Sequence, residues 1–283
     1  MKKFIIRTIT GVLFVAIIVA SFLRPLAMMA LFALVTGMAI WEYVGIVNEQ
    51  EGISVNRFIS TVAGVYLFIA VTVFCGGFVM SGAVFVPYLL TLVYLFVAEL
   101  YARNQQPVAT WGYTMLSQMW IALGFSTISV VSFFSVGYEV HFSFVLPLSI
   151  FVFLWANDSG AYLIGSLLGK HKLFPRISPN KSWEGSIGGG VLVIIVAILI
   201  SILVKSYEMD CVLQTIPQWI GLGLVVVVFG TWGDLVESLF KRTLGIKDSG
   251  TILPGHGGIL DRFDSSLLAF PATVIYIYTL SII

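Results

Sequence analysis

Residues 185–204 read GSIGGGVLVIIVAILISILV, which is twenty consecutive residues without a charged side chain. A helix of this length is about 30 Å long and matches the hydrocarbon thickness of a bilayer. The segment therefore predicts a transmembrane helix. Similar apolar runs recur along the chain, and the sequence predicts nine spans with these approximate bounds: 4–22, 26–47, 58–78, 83–101, 113–134, 142–163, 185–204, 219–239 and 265–282.

The composition agrees with a chain that lies almost entirely in the bilayer. Apolar residues make up 59% of the 283 residues and charged residues 10%, against about 45–50% and ~25% in soluble domains. This excludes a soluble enzyme. A net charge of +1 excludes a nucleic-acid binder, and two cysteines exclude a disulfide scaffold. Continuous rather than alternating apolar runs exclude an outer-membrane barrel. The expected fold is an all-α polytopic membrane bundle.

The distribution of positive charge predicts the orientation. With the N-terminus in the cytoplasm, 13 of the 15 cations fall in cytoplasmic segments, and only Arg24 and Lys205 fall outside. Because basic residues concentrate on the cytoplasmic side of membrane proteins, the N-terminus is expected inside and the C-terminus outside. A cleaved signal peptide at the first span is the alternative, since a basic start and an apolar core precede Ala20 and Ser21.

Polar residues are unevenly divided along the chain. Residues 1–140 are predicted to be N-terminal transmembrane helices that serve packing, with a lipid cavity as a further option. Glu42 and Glu99 lie near cytoplasmic span ends and are interpreted as interfacial anchors or helix-end ion pairs. Residues 141–283 are predicted to form a C-terminal catalytic region with two charged cytoplasmic loops, 169–184 and 240–264.

Two polar residues stand inside the sixth span. Asn157 and Asp158 lie in its cytoplasmic part. A carboxylate at the centre of a membrane helix costs about 2.5–3.5 kcal/mol on insertion scales, so it often marks a cavity or a functional site. The alternative is hydrogen bonding between helices that pack closely at Gly160, Gly165 and Gly169. In the following loop, the polar stretch 178–182 (SPNKS) frames a single lysine between small residues.

The end of the eighth span has a strongly polar face. Asp234 and Glu237 are spaced i, i+3, and Asp234, Ser238 and Lys241 are spaced i, i+4, i+7, so they share one side of a helix. In the next loop, glycines flank His256 and would let backbone amides approach a ligand. Two further carboxylates, three residues apart, open the ninth span: Asp261 and Asp264.

Carboxylates, lysines and arginines collected at the cytoplasmic face suit phosphoryl or nucleotidyl transfer. Helix ends that carry carboxylates can hold Mg²⁺, and basic side chains can bind phosphate oxygens. Such reactions depend mainly on positioning and charge neutralisation. The sequence has no Cys/His set with zinc spacing and no Gly-x-Ser-x-Gly elbow. Charges clustered at one face favour an enzyme over a transporter, which would place them near the midplane.

The cytoplasmic motifs resemble those of a known family. The stretches 238–242 (SLFKR), 247–248 (KD) and 256–264 (HGGILDRFD) are similar to the signature of phosphatidate cytidylyltransferases, also called CDP-diacylglycerol synthases. The stretches 157–162 (NDSGAY) and 178–185 (SPNKSWEG) resemble the same family. The resemblance covers roughly residues 155–265, and nothing functional is carried onto the first 150 residues.

The resemblance implies the reaction CTP + phosphatidic acid → CDP-diacylglycerol + pyrophosphate, dependent on Mg²⁺, with a second cation left open. It implies that Asp234 and Asp261 bind the metal and that Lys241 and His256 join them as catalytic residues, His256 orienting phosphate or protonating pyrophosphate. The residues expected to bind substrate are Asn157, Asp158, Ser178, Asn180, Lys181, Glu184, Arg242, Lys247, Asp248, Arg262 and Asp264.

The expected setting is a bacterial-type inner membrane with the active site facing the cytoplasm. The expected partners are CTP, phosphatidic acid and membrane lipid, without nucleic acid, and a homodimer is left open. Two other functions remain as alternatives. A related lipid or polyprenol kinase would use similar groups but release a nucleoside diphosphate, and a transporter would move a substrate without breaking a bond.

Overall fold

The computed structural model describes the backbone of residues 2–250, 252 and 257–282, and side chains within residues 8–280 of these ranges. Helices dominate the described residues. The helices are α1 Lys2–Ser21, α2 Pro25–Val47, α3 Arg57–Cys75, α4 Val86–Ala102, α5 Pro107–Leu116, α6 Leu123–Ser132, α7 Val145–Leu168, α8 Trp183–Ser206, α9 Ile216–Thr243, α10 Leu260–Phe263 and α11 Ser266–Ile282.

The helices confirm the predicted all-α membrane fold. Eight helical segments in the described chain are long and apolar enough to cross a bilayer, and α1 adds a shorter apolar stretch, Thr8–Ser21. A 3₁₀ turn, Gly82–Phe85, leads into α4, and a π-helical stretch, Ser117–Ala122, joins α5 to α6 in one continuous span. These nine segments correspond to the nine predicted spans.

Several predicted helix bounds were wrong by up to six residues. The fifth span begins at Pro107 instead of residue 113, because proline fits the first turn of a helix. The sixth span, α7, continues to Leu168 instead of ending at residue 163. Asn157 and Asp158 therefore lie near the middle of α7 and not in its last turns, which strengthens the argument that they mark a functional cavity.

Two β-hairpins interrupt the helices where the sequence predicted only loops. Strand β1, Phe133–Val136, pairs with β2, Glu139–Phe142, and strand β3, Lys172–Phe174, pairs with β4, Ser178–Ser182. All four strands are five residues or shorter, and β3–β4 contains a register irregularity. Such short segments show no sustained alternation of apolar and polar residues, which is the pattern that reveals a strand in a sequence.

The chain divides into two compact units. The first unit contains Met1–Phe142 and Thr243–Phe263, and the second contains Ser143–Arg242 and Asp264–Ile283. The first unit is therefore discontinuous in sequence, since it includes most of the predicted loop 240–264. The division into a packing region and a catalytic region stays a prediction.

The first unit has an aromatic core centred on Phe263. The ring of this residue, which closes α10, lies 5.4 Å from the rings of Phe14 and Phe125 and 6.1 Å from Phe32. Phe263 is 2% exposed. The short helix α10, which lies within the stretch similar to the family signature, thus packs in the core of the N-terminal helices.

The second unit is built on close contact between α7 and α8. A Cβ atom added at Gly160 would lie 2.9 Å from the Cα atom of Gly189, and one added at Gly185 would lie 2.8 Å from the carbonyl oxygen of Ala161. Only glycine permits backbones to approach this closely. The close helix packing predicted at Gly160 is confirmed, and it brings the polar residues of α7 against the start of α8.

Candidate active site

A polar cavity of about 440 Å³ lies in the second unit along α7, α8 and the β3–β4 hairpin. Four predicted substrate-binding residues line it: Asn157, Asp158, Asn180 and Lys181. Ser182, from the polar stretch quoted above, also lines the cavity. Three further polar residues of the wall were not predicted, because isolated serines and threonines carry no signal in an apolar helix: Ser166, Ser186 and Thr231.

Lys181 links this cavity to the carboxylate of α9. Its Nζ atom lies 2.6 Å from Oδ2 of Asp234. Oδ1 of Asp234 accepts a hydrogen bond from Ser238 Oγ at 3.1 Å, which confirms that residues i and i+4 share this helix face. Both charged side chains remain partly exposed, at 26% and 29%. The single lysine of the SPNKS stretch thus pairs with a carboxylate of α9, and its predicted contact with substrate stays a prediction.

A second and a third carboxylate, those of Asp264 and Asp158, lie near this ion pair. Asp264 lies close enough to Asp234, Asp158 and Lys181 for their charges to act on it. Gly233 makes the approach possible, because a Cβ atom there would lie 2.7 Å from the carbonyl oxygen of Asp264. Three carboxylates and one ammonium thus make this part of the second unit rich in acidic groups.

Asn157 is the buried polar residue of the cavity wall. Its side chain is 6% exposed, and its Oδ1 atom has no hydrogen-bond donor. A buried, unsatisfied amide oxygen costs about 1–3 kcal/mol. The same oxygen packs on α8, where a Cβ atom at Gly189 would lie 2.5 Å from Oδ1. Both interpretations of Asn157, helix packing and ligand contact, agree with this position.

Glu184 and Ser178 do not line the cavity. Oε1 of Glu184 lies 2.6 Å from Nδ1 of His171, and its carboxylate accepts hydrogen bonds from the backbone N–H groups of Lys170 and His171 at 3.2 Å. Glu184 thus fastens the entry of the β3–β4 hairpin to the first turn of α8. Ser178 begins β4, paired with Phe174. Their predicted contact with substrate stays a prediction.

Lys241, one of the predicted catalytic residues, forms a buried ion pair. Its Nζ atom lies 2.6 Å from Oε2 of Glu237, one turn earlier in α9, and the Glu237 side chain is completely buried. A buried carboxylate needs a compensating charge. The structure thus gives Lys241 a structural partner that the sequence analysis did not assign.

Asp261, the other predicted metal ligand, belongs to the first unit and is held by its own loop. Its Oδ2 atom accepts hydrogen bonds from the backbone N–H groups of Ser249 at 2.9 Å and Gly258 at 2.8 Å. Gly257 has a positive φ of 82°, and a Cβ atom there would lie 2.6 Å from Oδ2. Gly257, one of the two glycines that flank His256, thus lies against this carboxylate. The predicted approach of these glycines to a ligand stays a prediction.

Glu42 was wrongly interpreted as an interfacial anchor. It is 6% exposed, and its carboxylate accepts hydrogen bonds from Ser249 Oγ and from the backbone N–H groups of Ile259, at 2.9 Å, and Leu260, at 3.1 Å. The partners lie more than 200 positions away in sequence, and no local pattern could reveal them. Glu99, by contrast, accepts a hydrogen bond from the nearby Asn104 side chain at 2.7 Å.

The remaining predicted residues lie at the surface of their own units. Arg242 lies in the last turn of α9 in the second unit, and Lys247, Asp248 and Arg262 are exposed in the first. Their predicted contacts with substrate stay predictions. His256 lies outside the described residues, so its predicted role stays a prediction.

The donor chemistry of the second unit fits a hard cation such as Mg²⁺. Asp158, Asp234 and Asp264 offer only carboxylate oxygens, the ligands that Mg²⁺ prefers, and the ammonium of Lys181 already lies against Asp234. Among the residues that the structure describes, however, no three His, Cys, Asp or Glu side chains are arranged as a metal centre. Mg²⁺ dependence therefore remains a proposal.

Comparison with known proteins identifies the family. A model described as the cytidylyltransferase family matches residues 5–280. Similar curated proteins, each named phosphatidate cytidylyltransferase, include those of Staphylococcus aureus strain COL, 53% identical over 123 residues, and Staphylococcus saprophyticus, 50% identical over 123 residues. These alignments cover 43% of this chain and 44% of each relative. Because the family model spans nearly the whole chain, the chain belongs to the cytidylyltransferase family.

Proposed function

We propose that this protein is a phosphatidate cytidylyltransferase that converts CTP and phosphatidic acid to CDP-diacylglycerol and pyrophosphate. Family membership and the names of the similar staphylococcal proteins support the reaction class and the substrates. One structural observation carries the proposal furthest. The polar cavity along α7 and α8 contains Lys181, which pairs with Asp234 in a helix that otherwise consists largely of apolar residues.

The proposed transfer reaction depends mainly on the positioning of the two substrates and on charge neutralisation. A phosphate oxygen of phosphatidic acid attacks the α-phosphorus of CTP, and the bond to the β-phosphate oxygen breaks to release pyrophosphate. The attacking oxygen is already anionic, so no strong general base is required. Lys181 would turn from Asp234 to a phosphate oxygen, and the exposed Arg242 would neutralise further negative charge. Asn157 and Asn180 would orient polar groups of the substrate in the cavity.

Mg²⁺, once bound, would neutralise charge on the triphosphate. By the sequence resemblance, Asp234 and Asp261 are the proposed ligands, and the oxygen-rich surroundings of Asp234 support its part of that assignment. Asp158 and Asp264 would add to the local negative potential that attracts the ion.

The membrane setting follows from the substrates. A lipid with two acyl chains stays in the bilayer, whereas CTP comes from the cytoplasm. The charge distribution favours a cytoplasmic position for the polar ends of α7 and α9, and the bacterial relatives support a plasma (inner) membrane location. A homodimer stays a prediction.

The decisive experiment is product analysis with purified protein in phosphatidic acid-containing micelles, CTP and Mg²⁺. CTP labelled at the α-phosphate should label the lipid, whereas CTP labelled at the γ-phosphate should release labelled pyrophosphate. A lipid labelled from the γ-phosphate, with release of CDP, would instead identify a kinase. Substrate movement across proteoliposomes without any bond cleavage would identify a transporter. Diacylglycerol in place of phosphatidic acid is the matched negative control, because it lacks the attacking phosphate.

A further inference from the structure

We infer that Glu42, in the second helix, is a positioning residue for the signature loop, by which we mean the described residues 243–250 and 257–263. Glu42 holds this loop in the geometry in which Asp261 acts. The inference rests on the proposed function, in which Asp261 serves the transfer reaction. It concerns the N-terminal region, for which the sequence suggested only packing or a lipid cavity.

Three hydrogen-bond donors of the loop converge on the carboxylate of Glu42. Ser249 Oγ and the backbone N–H groups of Ile259 and Leu260 all donate to Glu42. The loop is also in van der Waals contact with the same side chain, since a Cβ atom at Gly250 would lie 2.7 Å from Oε2 and one at Gly258 would overlap Oε1. The loop therefore closes around Glu42 on two sides.

Ser249 links Glu42 to Asp261 through hydrogen bonds. The hydroxyl of Ser249 donates to Glu42 and accepts a hydrogen bond from the backbone N–H of Asp261 at 3.3 Å. The backbone N–H of Ser249 donates to Oδ2 of Asp261 at 2.9 Å. One serine thus joins the two carboxylates, and a displacement of Ser249 would move Asp261 as well.

Burial of the Glu42 carboxylate has a cost in free energy. A carboxylate that is 6% exposed loses most of its hydration, and such burial is unfavourable unless hydrogen bonds compensate for it. An apolar side chain at residue 42 would avoid that cost. A buried carboxylate with three loop donors is instead typical of a group that fixes one loop conformation, because hydrogen bonds to a charged acceptor are the strong and directional ones.

The test compares Glu42→Gln, Ser249→Ala and the double variant with the full-length wild-type protein. Glutamine keeps the size of the side chain but replaces one oxygen by an NH₂ group, which cannot accept a hydrogen bond from the loop amides. Glu99→Gln is the matched control. It is an acidic residue of the same unit, and its hydrogen bond goes to Asn104 and not to the loop.

The first readout is hydrogen exchange at the amides of residues 258–261, and it does not depend on the reaction. Glu42→Gln should accelerate exchange at Ile259 and Leu260 by about tenfold or more, because a hydrogen bond to a charged group is lost. Glu99→Gln should leave these amides unchanged. Unchanged protection of Ile259 and Leu260 in Glu42→Gln would overturn the inference.

The second readout is turnover per folded molecule and its dependence on Mg²⁺. Positioning predicts that Glu42→Gln lowers kcat by about tenfold or more and raises the Mg²⁺ concentration for half-maximal activity, and that Ser249→Ala produces the same two changes. The double variant should be no worse than the poorer single variant, since both act through one network. A loosened loop with normal kcat and normal Mg²⁺ dependence would show a role in stability alone and overturn the inference. Wild-type protein that makes no CDP-diacylglycerol would overturn the proposed function, and the exchange experiment would still decide whether Glu42 fixes the loop.

Discussion

Asp234 forms an ion pair and also lies near another carboxylate. These two interactions predict how its replacement would affect stability and turnover. Lys181 compensates part of its charge, while the carboxylate of Asp264 repels it. The Asp234→Asn variant should keep its fold, because it relieves like-charge repulsion in the protein without metal. Turnover should fall by about 10²–10³, which is typical when one electrostatic group at a reacting centre is removed.

The measurement for Asp234 is kcat and the thermal unfolding midpoint on the same preparation. Asp210→Asn is the control, because Asp210 is exposed in the segment before α9 and lies outside the cavity. A variant that unfolds readily but retains normal turnover per folded molecule would show that Asp234 serves only as the structural partner of Lys181.

The role of Lys241 cannot be tested by a single substitution, because its ion pair with the buried Glu237 would be broken at the same time. Lys241→Ala would leave Glu237 without this compensating charge, and breaking a buried pair costs about 3–5 kcal/mol. The double variant Glu237→Gln/Lys241→Met removes both charges and should recover most of the lost stability.

Activity of that double variant then separates the two roles of Lys241. If the lysine contacts substrate phosphate, the folded double variant should remain at least about tenfold less active than wild type, because a charge-assisted contact is missing. Wild-type turnover in the double variant would remove Lys241 from the catalytic residues and leave it as the partner of Glu237.

At the scale of helices, the contact between α7 and α8 controls the shape of the cavity. At Gly189 a methyl group would lie 2.7 Å from the backbone oxygen of Asn157, which cannot rotate away. At the neighbouring Gly190, the nearest atom would be a Val227 methyl at 3.7 Å, an ordinary contact. Gly189→Ala should therefore cost about 1–3 kcal/mol of stability and lower activity, because the helices must separate. Gly190→Ala should be tolerated.

Thermal unfolding and CTP turnover of these two variants provide the comparison. Both changes add the same methyl group to the same helix and have the same effect on helix propensity, so a difference between them reports on packing alone. Equal stability of the two variants would contradict the close approach of α7 and α8.

Sequence patterns predicted the helices better than the connections and the site. The second span was predicted within one residue of α2, since a 23-residue apolar helix is a strong signal. The β3–β4 hairpin was missed because its short polar strands lack periodicity. Lys181 and Asp234 were both selected, but 53 positions separate them in sequence, and only the fold shows that they pair. Glu42 was misinterpreted for the same reason: its partners are distant loop amides.

At the scale of the whole molecule, the remaining prediction concerns the orientation of the chain in the membrane. The proposed reaction requires the signature loop to face the compartment that contains CTP, and the segregation of 13 of 15 cations predicts the cytoplasm. Lys172 and Lys247, both exposed, should then be inside, and the fully exposed Tyr138 in the turn between β1 and β2 should be outside.

Single cysteines at these three positions, in a chain with Cys75 and Cys211 replaced by serine, test the orientation in intact cells. Replacement of Cys211 removes a weak background only, because burial raises the pKa of its thiol and slows its reaction. A membrane-impermeant maleimide should label Tyr138→Cys in intact cells, and should label Lys172→Cys and Lys247→Cys only after the cells are opened. Labelling of Lys247→Cys from outside would reverse the predicted topology. It would also count against the proposed function, because the signature loop would then face away from the nucleotide that the reaction consumes.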